Sequence, residues 1–194
     1  MSVNSPREIK IVFAGPMGAG KTTAIRAISD QPPVSTEVTH TDRNQADRKL
    51  SSKDTTTVAL DFGQLALEDG TAVRLYGTPG QERFSFMWEI LCKGSLGVIL
   101  LVDGRSATAL SDLEAYLDML ERLGPGQTFV VGVGRLPVDA GTELDRLASA
   151  LAAREMAVPV FGVDVRQRDD VLLLVETLLS ILEMRAPESV NGIH

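Results

Sequence analysis

The octapeptide Gly15-Pro16-Met17-Gly18-Ala19-Gly20-Lys21-Thr22 constrains this chain more than any other stretch. It fits G-x-x-x-x-G-K-[ST], the phosphate-binding P-loop. That loop requires a strand before it and a helix after it, and both are legible. Ile9-Lys10-Ile11-Val12-Phe13-Ala14 is an apolar run that reads as a buried strand. Thr23-Ala24-Ile25-Arg26-Ala27-Ile28 reads as the first turns of a helix. Gly15 and Gly20 allow backbone angles that bring amide N–H groups onto phosphate oxygens. The helix N-terminus adds its positive end. Lys21 supplies a point charge at the outer phosphates, and the Thr22 hydroxyl suits a magnesium ion. Gly18, Ala19 and Thr23 complete the cradle through their backbone amides. A glycine-rich turn that merely ends in Lys-Thr would not carry both flanks.

The 194 residues suffice for one domain with a sizeable core, and 44% hydrophobic and 23% charged residues are ordinary for a globular protein. A net charge of −7 argues against nucleic acid or an anionic membrane as the main partner. The single Cys92 excludes an internal disulfide and a cysteine metal cluster, and it fits a reducing cytoplasm. No run reaches the length of a membrane span, and neither end shows a lipidation or signal pattern. The expectation is a cytoplasmic protein with no direct membrane anchor.

Strands are predicted at about 8–14, 55–65, 71–77, 96–103, 128–133 and 158–163. Helices are predicted at about 21–30, 82–93, 107–123, 142–154 (capped by Thr142) and 168–184. Gln31-Pro32-Pro33 stops the first helix. The polar stretch 34–54 lacks clear periodicity and reads as a mobile loop over the phosphate site. Asp69-Gly70 between apolar runs marks a hairpin. Leu110, Leu113, Leu117 and Leu120 form one helical stripe. Residues 1–7 and 186–194 read as flexible tails around a domain at 8–185. Alternating elements of this length give a three-layer α/β sandwich with five parallel strands and one antiparallel edge strand. Ligands of such folds bind beyond the carboxyl ends of the strands.

The order of P-loop, a threonine before Asp61-Phe62, Gly80-Gln81-Glu82-Arg83-Phe84 and Leu101-Val102-Asp103 resembles the Ras-like small GTPases. Tyr76-Gly77-Thr78-Pro79-Gly80-Gln81 is similar to the bacterial branch that includes the gliding-motility GTPases. The resemblance covers about 9–182. It implies a P-loop GTPase-like fold with a six-stranded mixed sheet, GTP or GDP as ligand, and Mg²⁺ as cofactor. It places Thr57 on the metal beside Thr22, with Thr55 and Thr56 as near alternatives. It puts the Gly80 amide on the γ-phosphate and gives Gln81 the task of orienting the attacking water. Asp164-Val165-Arg166 resembles the last base-proximal loop, with Val165 meeting the base through its backbone.

Three departures accompany the resemblance. Gly77 stands where the family has an aspartate that holds magnesium through water, so metal binding should weaken or another carboxylate should serve. Met17 stands where many members have a glycine that leaves room for a catalytic arginine. Slow hydrolysis follows, with Arg43 or Arg48 as arginines in cis or as plain solvated charges. The guanine-reading N-K-x-D is replaced by Gly134-Arg135-Leu136-Pro137, in which only the basic position survives as Arg135. Asp139 serves only if the loop shifts register. Two readings follow besides a metabolite kinase, which the Asp61-Phe62 hairpin disfavours. One is a nucleotide-dependent switch that hydrolyses GTP slowly. The other is a pseudo-GTPase or partner-binding scaffold with weak or non-selective nucleotide binding. A regulatory protein on the switch regions is implied, a roadblock-fold protein by analogy. Phe84, Phe86 and Trp88 are either a partner patch or helix packing.

Overall fold

The computed structural model describes residues 8–32, 34–40, 56–81, 84–124, 127–136 and 141–185; for 34–40, 56–59 and 85 only the backbone is considered. The expected tails, Arg43, Arg48, Thr55, Glu82, Arg83 and Asp139 lie outside the described residues. The elements run β1 (Glu8–Ala14), α1 (Lys21–Ile28), β2 (Val34–His40), β3 (Thr56–Ala66), β4 (Ala72–Gly77), α2 (Ser85–Cys92) and β5 (Gly97–Asp103). They continue as α3 (Ala109–Arg122), β6 (Phe129–Gly134), α4 (Gly141–Ala153), β7 (Val160–Val163) and α5 (Arg168–Arg185).

One sheet carries all the strands in the order β2-β3-β4-β1-β5-β6-β7. Strands β1 and β5 lie side by side at the centre; β1 is parallel to β4 and β5, with β6 and β7 continuing in parallel. Strand β3 is antiparallel to both of its neighbours. The six predicted strands and the three-layer α/β fold are present. Among the described residues the sheet has seven strands rather than six, because Val34–His40 pairs with β3 along the outer edge. The antiparallel strand β3 is therefore second from the edge. This corrects the reading of 34–54 as a loop throughout. Val34-Ser35-Thr36-Glu37-Val38-Thr39-His40 is rich in β-branched residues, which fit a pleated strand. Its polar residues hid that signal.

The sheet buries both faces. Ile11, Phe13, Leu75, Ile99 and Leu101 pack with Ile25 and Ile28 of α1 and with Leu174 and Leu178 of α5. Val12, Val98, Leu100, Val102 and Val131 pack with Leu113, Leu117 and Leu120 of α3 and with Leu147 and Leu151 of α4. Each such side chain contributes about 1.5–3 kcal/mol relative to exposure. The central strand β5 is buried along nearly its whole length, as a strand covered on both faces should be.

Helix α1 ends at Ile28, two residues before the predicted stop. Asp30 explains the difference: its N–H donates to Gln64 O at 2.9 Å, and its carboxylate accepts from the Ala66 N–H at 2.6 Å. These bonds divert the chain onto β3 before the prolines are reached. Gly63 permits the close approach, since a Cβ there would lie 2.7 Å from Ile25 Cγ2. Helix α4 begins at Gly141, so Thr142 sits in its first turn and is not its cap. In α2 the aromatic residues divide: Phe84, just before it, and Trp88 are buried, while Phe86 is 41% exposed.

Cys92 is fully buried at the end of α2, and burial pushes its thiol up to about 12, against a smaller opposing pull from Lys10. A buried thiol that stays protonated is inert. Iodoacetamide at pH 8 should leave Cys92 unmodified in the native protein and label it fully after unfolding, as read by intact mass. Because the unfolded thiol ionises first, Cys92 subtracts from stability as pH rises above about 9.

Candidate functional site

The P-loop leaves the carboxyl end of β1 and enters α1. Gly15 adopts φ 137°, and a Cβ on it would run into the Leu101 carbonyl oxygen of β5. The loop thus lies flat against the central strand. Lys21 is the first residue of α1 and is 7% exposed. Its ammonium donates to Gly15 O at 2.6 Å and to Pro16 O at 2.7 Å. Burial pulls its pKa down to about 8, with Asp61 opposing. The charge is therefore held within the loop, beside the loop's own amides.

Residues 78–81 meet the P-loop directly. The Met17 N–H donates to Gly80 O at 3.1 Å, and a Cβ on Gly80 would lie 2.6 Å from Met17 Cα. Gln81 Nε2 lies 3.8 Å from Met17 Sδ. Met17 is 74% exposed, above the mouth of the site. The indole N–H of Trp88 donates to Pro79 O at 2.6 Å, and its ring stacks on Tyr116 at 4.2 Å. Helix α2 is thereby tied to the same loop.

The Thr22 hydroxyl donates to Asp61 Oδ2 at 2.5 Å. Thr57 lies in β3, but its side chain is outside what the structure describes. A hydroxyl and a carboxylate at the phosphate end of a P-loop are hard oxygen donors, and they fit Mg²⁺.

A cavity of about 1000 Å³ opens on the other side of α1. Gly20 and Thr23 form one wall, and Arg105, Arg135, Leu136 and the turn Asp164-Val165-Arg166 form others. Val165 presses on the P-loop, for a Cβ on Gly20 would lie 2.8 Å from Val165 Cγ2. The predicted base-side residues therefore do converge. Their polar groups are engaged in ion pairs. Arg135 NH1 meets Asp103 Oδ2 at 2.6 Å. The Arg166 guanidinium and N–H hold the Asp164 carboxyl down to about 2. Arg168 bonds Ile28 O at 2.9 Å and so joins α5 to the end of α1. Gly18 and Ala19 lie on the loop between Lys21 and Met17, Ala19 bonding Pro16 O through its N–H at 3.2 Å.

Three participants escaped the sequence reading. Asp103 ends an apolar strand at its carboxyl edge, which is the signal that marks it. Arg105 follows two residues later. Asp61 was seen as part of a pattern but not as a partner of Thr22. Its signal is a lone carboxylate in a strand opposite Gly77.

Fold and site together define a three-layer α/β domain with a phosphate-binding P-loop between β1 and α1. A family model described as "Conserved hypothetical ATP binding protein" matches residues 13–157, and the chain belongs to that family. An uncharacterized protein of Methanocaldococcus jannaschii is 31% identical over 114 residues, 59% of this chain and 62% of that protein. The GTP-binding protein ypt4 of Schizosaccharomyces pombe is 25% identical over 133 residues, 65% of this chain and 50% of that protein. The Ras-related protein Rab-27B of Bos taurus is 24% identical over 203 residues, 96% of this chain and 84% of that protein. Among solved structures, a bacterial selenocysteine-specific elongation factor matches with TM-score 0.65 at 21% identity, covering 90% of this chain and 29% of that one. The chain thus spans less than two thirds of the archaeal and fission-yeast proteins. Among the described residues no helix is long and apolar enough to cross a membrane.

Proposed function

We propose that this chain is a guanine-nucleotide-dependent switch that hydrolyses GTP slowly. The observation that carries the reading is the backbone contact between Met17 and Gly80. It joins the phosphate loop to residues 78–81, and Trp88 joins those residues to α2. A terminal phosphate seated on the P-loop amides must separate Met17 from Gly80. That separation moves Pro79 and pulls on Trp88. The phosphate is thereby reported at the exposed Phe86 and Ile90 surface of α2, where a regulatory partner would bind. A roadblock-fold protein, as for the gliding-motility GTPases, is the candidate partner.

In the reaction, water attacks the γ-phosphorus, the bond to the β-bridging oxygen breaks, and GDP and phosphate leave. Lys21 neutralises charge on the outer phosphates, and the Gly80 N–H takes a γ-oxygen once the Met17 N–H has released the Gly80 carbonyl. Gln81 turns from Met17 to orient the water. Bound Mg²⁺ would supply positive charge at the β- and γ-oxygens and would be held by the Thr22 oxygen, with Thr57 as the second candidate. Met17 covers the route by which an outside arginine would enter, which is why turnover is expected to be slow.

Trp88 is the single tryptophan and is the natural reporter. Exchange of GDP for a non-hydrolysable GTP analogue should change its emission in amplitude or position. The change should vanish in Gly80→Ala, whose Cβ cannot be placed against Met17. Identical Trp88 spectra with both nucleotides bound would refute switching while leaving binding intact.

A further inference from the structure

We infer that Asp164 is the carboxylate that selects guanine in this chain, and that the Arg166 side chain holds its place until the base arrives. The inference rests on the nucleotide reading above and deepens it by naming the group that chooses the base.

The cavity of about 1000 Å³ begins at Gly20 and Thr23, so a base joined to phosphates on the P-loop extends into it. Guanine shows two neighbouring donors on one edge, N1–H and the 2-amino group. Adenine shows an acceptor and a plain C–H at those positions. A carboxylate, with two acceptor oxygens and no donor, tells the two apart. Among the described residues that line the cavity, Asp164 carries the only carboxylate. The charged side chains beside it, Arg105, Arg135 and Arg166, only donate. The backbone of Asp164 is pinned from both sides. Its N–H donates to Asp170 Oδ2 at 2.7 Å, and its carbonyl accepts from the Gln167 N–H at 2.8 Å.

The contact that Asp164 makes in the empty site describes the ligand. Arg166 Nε donates to Asp164 Oδ1 at 2.9 Å, and Nη2 donates to Oδ2 at 2.7 Å. These are two parallel bonds from one planar fork. The guanine edge is the same fork, with N1–H and the 2-amino group joined through C2 as Nε–H and Nη2 are joined through Cζ. A carboxylate set to accept the first is set to accept the second. The Arg166 side chain is 77% exposed, so it can turn into water and cede the carboxylate. Exposed ion pairs are weak, so the exchange costs little affinity. The Arg166 backbone N–H, on Oδ1 at 3.0 Å, keeps the carboxylate oriented meanwhile.

The test is displacement of fluorescently labelled GDP from the full-length protein by unlabelled GDP and by inosine diphosphate. Inosine diphosphate lacks the 2-amino group and so loses one of the two bonds. Wild-type protein should bind GDP about 12–140-fold more tightly than inosine diphosphate, the worth of one hydrogen bond to a charged group. Asp164→Asn keeps an acceptor for the Arg166 N–H but offers the base a single neutral oxygen. That ratio should shrink at least about fivefold in this variant. Arg166→Gln removes the competing fork, and GDP affinity should rise by up to about fivefold with the ratio kept. Asp139→Asn should leave the ratio as it is. An unchanged ratio in Asp164→Asn, or its loss in Asp139→Asn, would overturn the inference and leave nucleotide binding standing. Weaker GDP binding by Arg166→Gln would overturn the exchange of fork for base. Failure of the wild-type protein to bind GDP would defeat the nucleotide reading itself. If Asp164→Asn does not fold, wild-type protein and Asp139→Asn decide: the full ratio in both supports the assignment, and a ratio near one in either refutes it.

Discussion

Gly15→Ala should lower the unfolding temperature by roughly 4–24 °C and abolish nucleotide binding. The Gly15 φ of 137° is a conformation that an L side chain rarely adopts. The added methyl would run into the Leu101 carbonyl, a backbone atom of the central strand that has no room to retreat. Strain at such a φ costs about 1–3 kcal/mol, and overpacking a close contact costs about 1–3 more. Each kcal/mol is worth about 2–4 °C at this size. Gly18→Ala is the internal control. Gly18 also has a positive φ, 85°, but a Cβ there meets nothing within 4 Å. Its loss should be about 1 kcal/mol, the left-handed backbone term alone. Thermal unfolding of the two variants side by side checks the difference.

Lys21→Met should weaken GDP and GTP binding by about 10²–10⁴-fold while leaving the fold intact. The ammonium donates two short hydrogen bonds to loop carbonyls and is poised for phosphate oxygens. Charge-assisted bonds contribute about 1.5–3 kcal/mol each, and two of them amount to about two to four decades of affinity. The empty protein should shift by only a few degrees, because release of a buried charge offsets the two lost bonds. The pH dependence gives the sign independently. The folded pKa of about 8 lies below the ordinary 10.5, so the buried charge opposes folding below pH 8. That penalty fades as pH rises from 8 to 10.5. Phosphate favours the charged form, so binding above pH 8 takes up a proton. Affinity should then fall by up to about tenfold per pH unit. Calorimetry in buffers of different ionisation enthalpy measures that uptake, and Lys21→Met should lack it.

The frame of the fold was legible because its signals are local and redundant. The apolar run at 97–103, the leucine stripe of α3 and the P-loop each specify one structure on their own. Strand β2 was not legible. Its residues are polar, and what holds it is backbone pairing to β3, which leaves no mark in hydrophobic periodicity. The site was legible within the P-loop motif itself, where Lys21 and Thr22 open α1 as the motif requires. It was not legible where two segments meet. Asp61 comes to Thr22 through a strand register and a helix held close by Gly63. Asp103 comes to Arg135 because β5 and β6 are neighbours, with Asp103 opposite Gly134. The ion pairs that engage Arg135 and Asp164 are likewise products of folding.

The most direct test of the account is equilibrium titration of wild-type protein with fluorescently labelled GDP, GTP and ATP in Mg²⁺. The account predicts saturable binding of both guanine nucleotides, with ATP weaker by at least about tenfold, the effect of one discriminating polar contact. Absence of saturable binding by GDP and GTP, or tighter binding of ATP than of either, would contradict it.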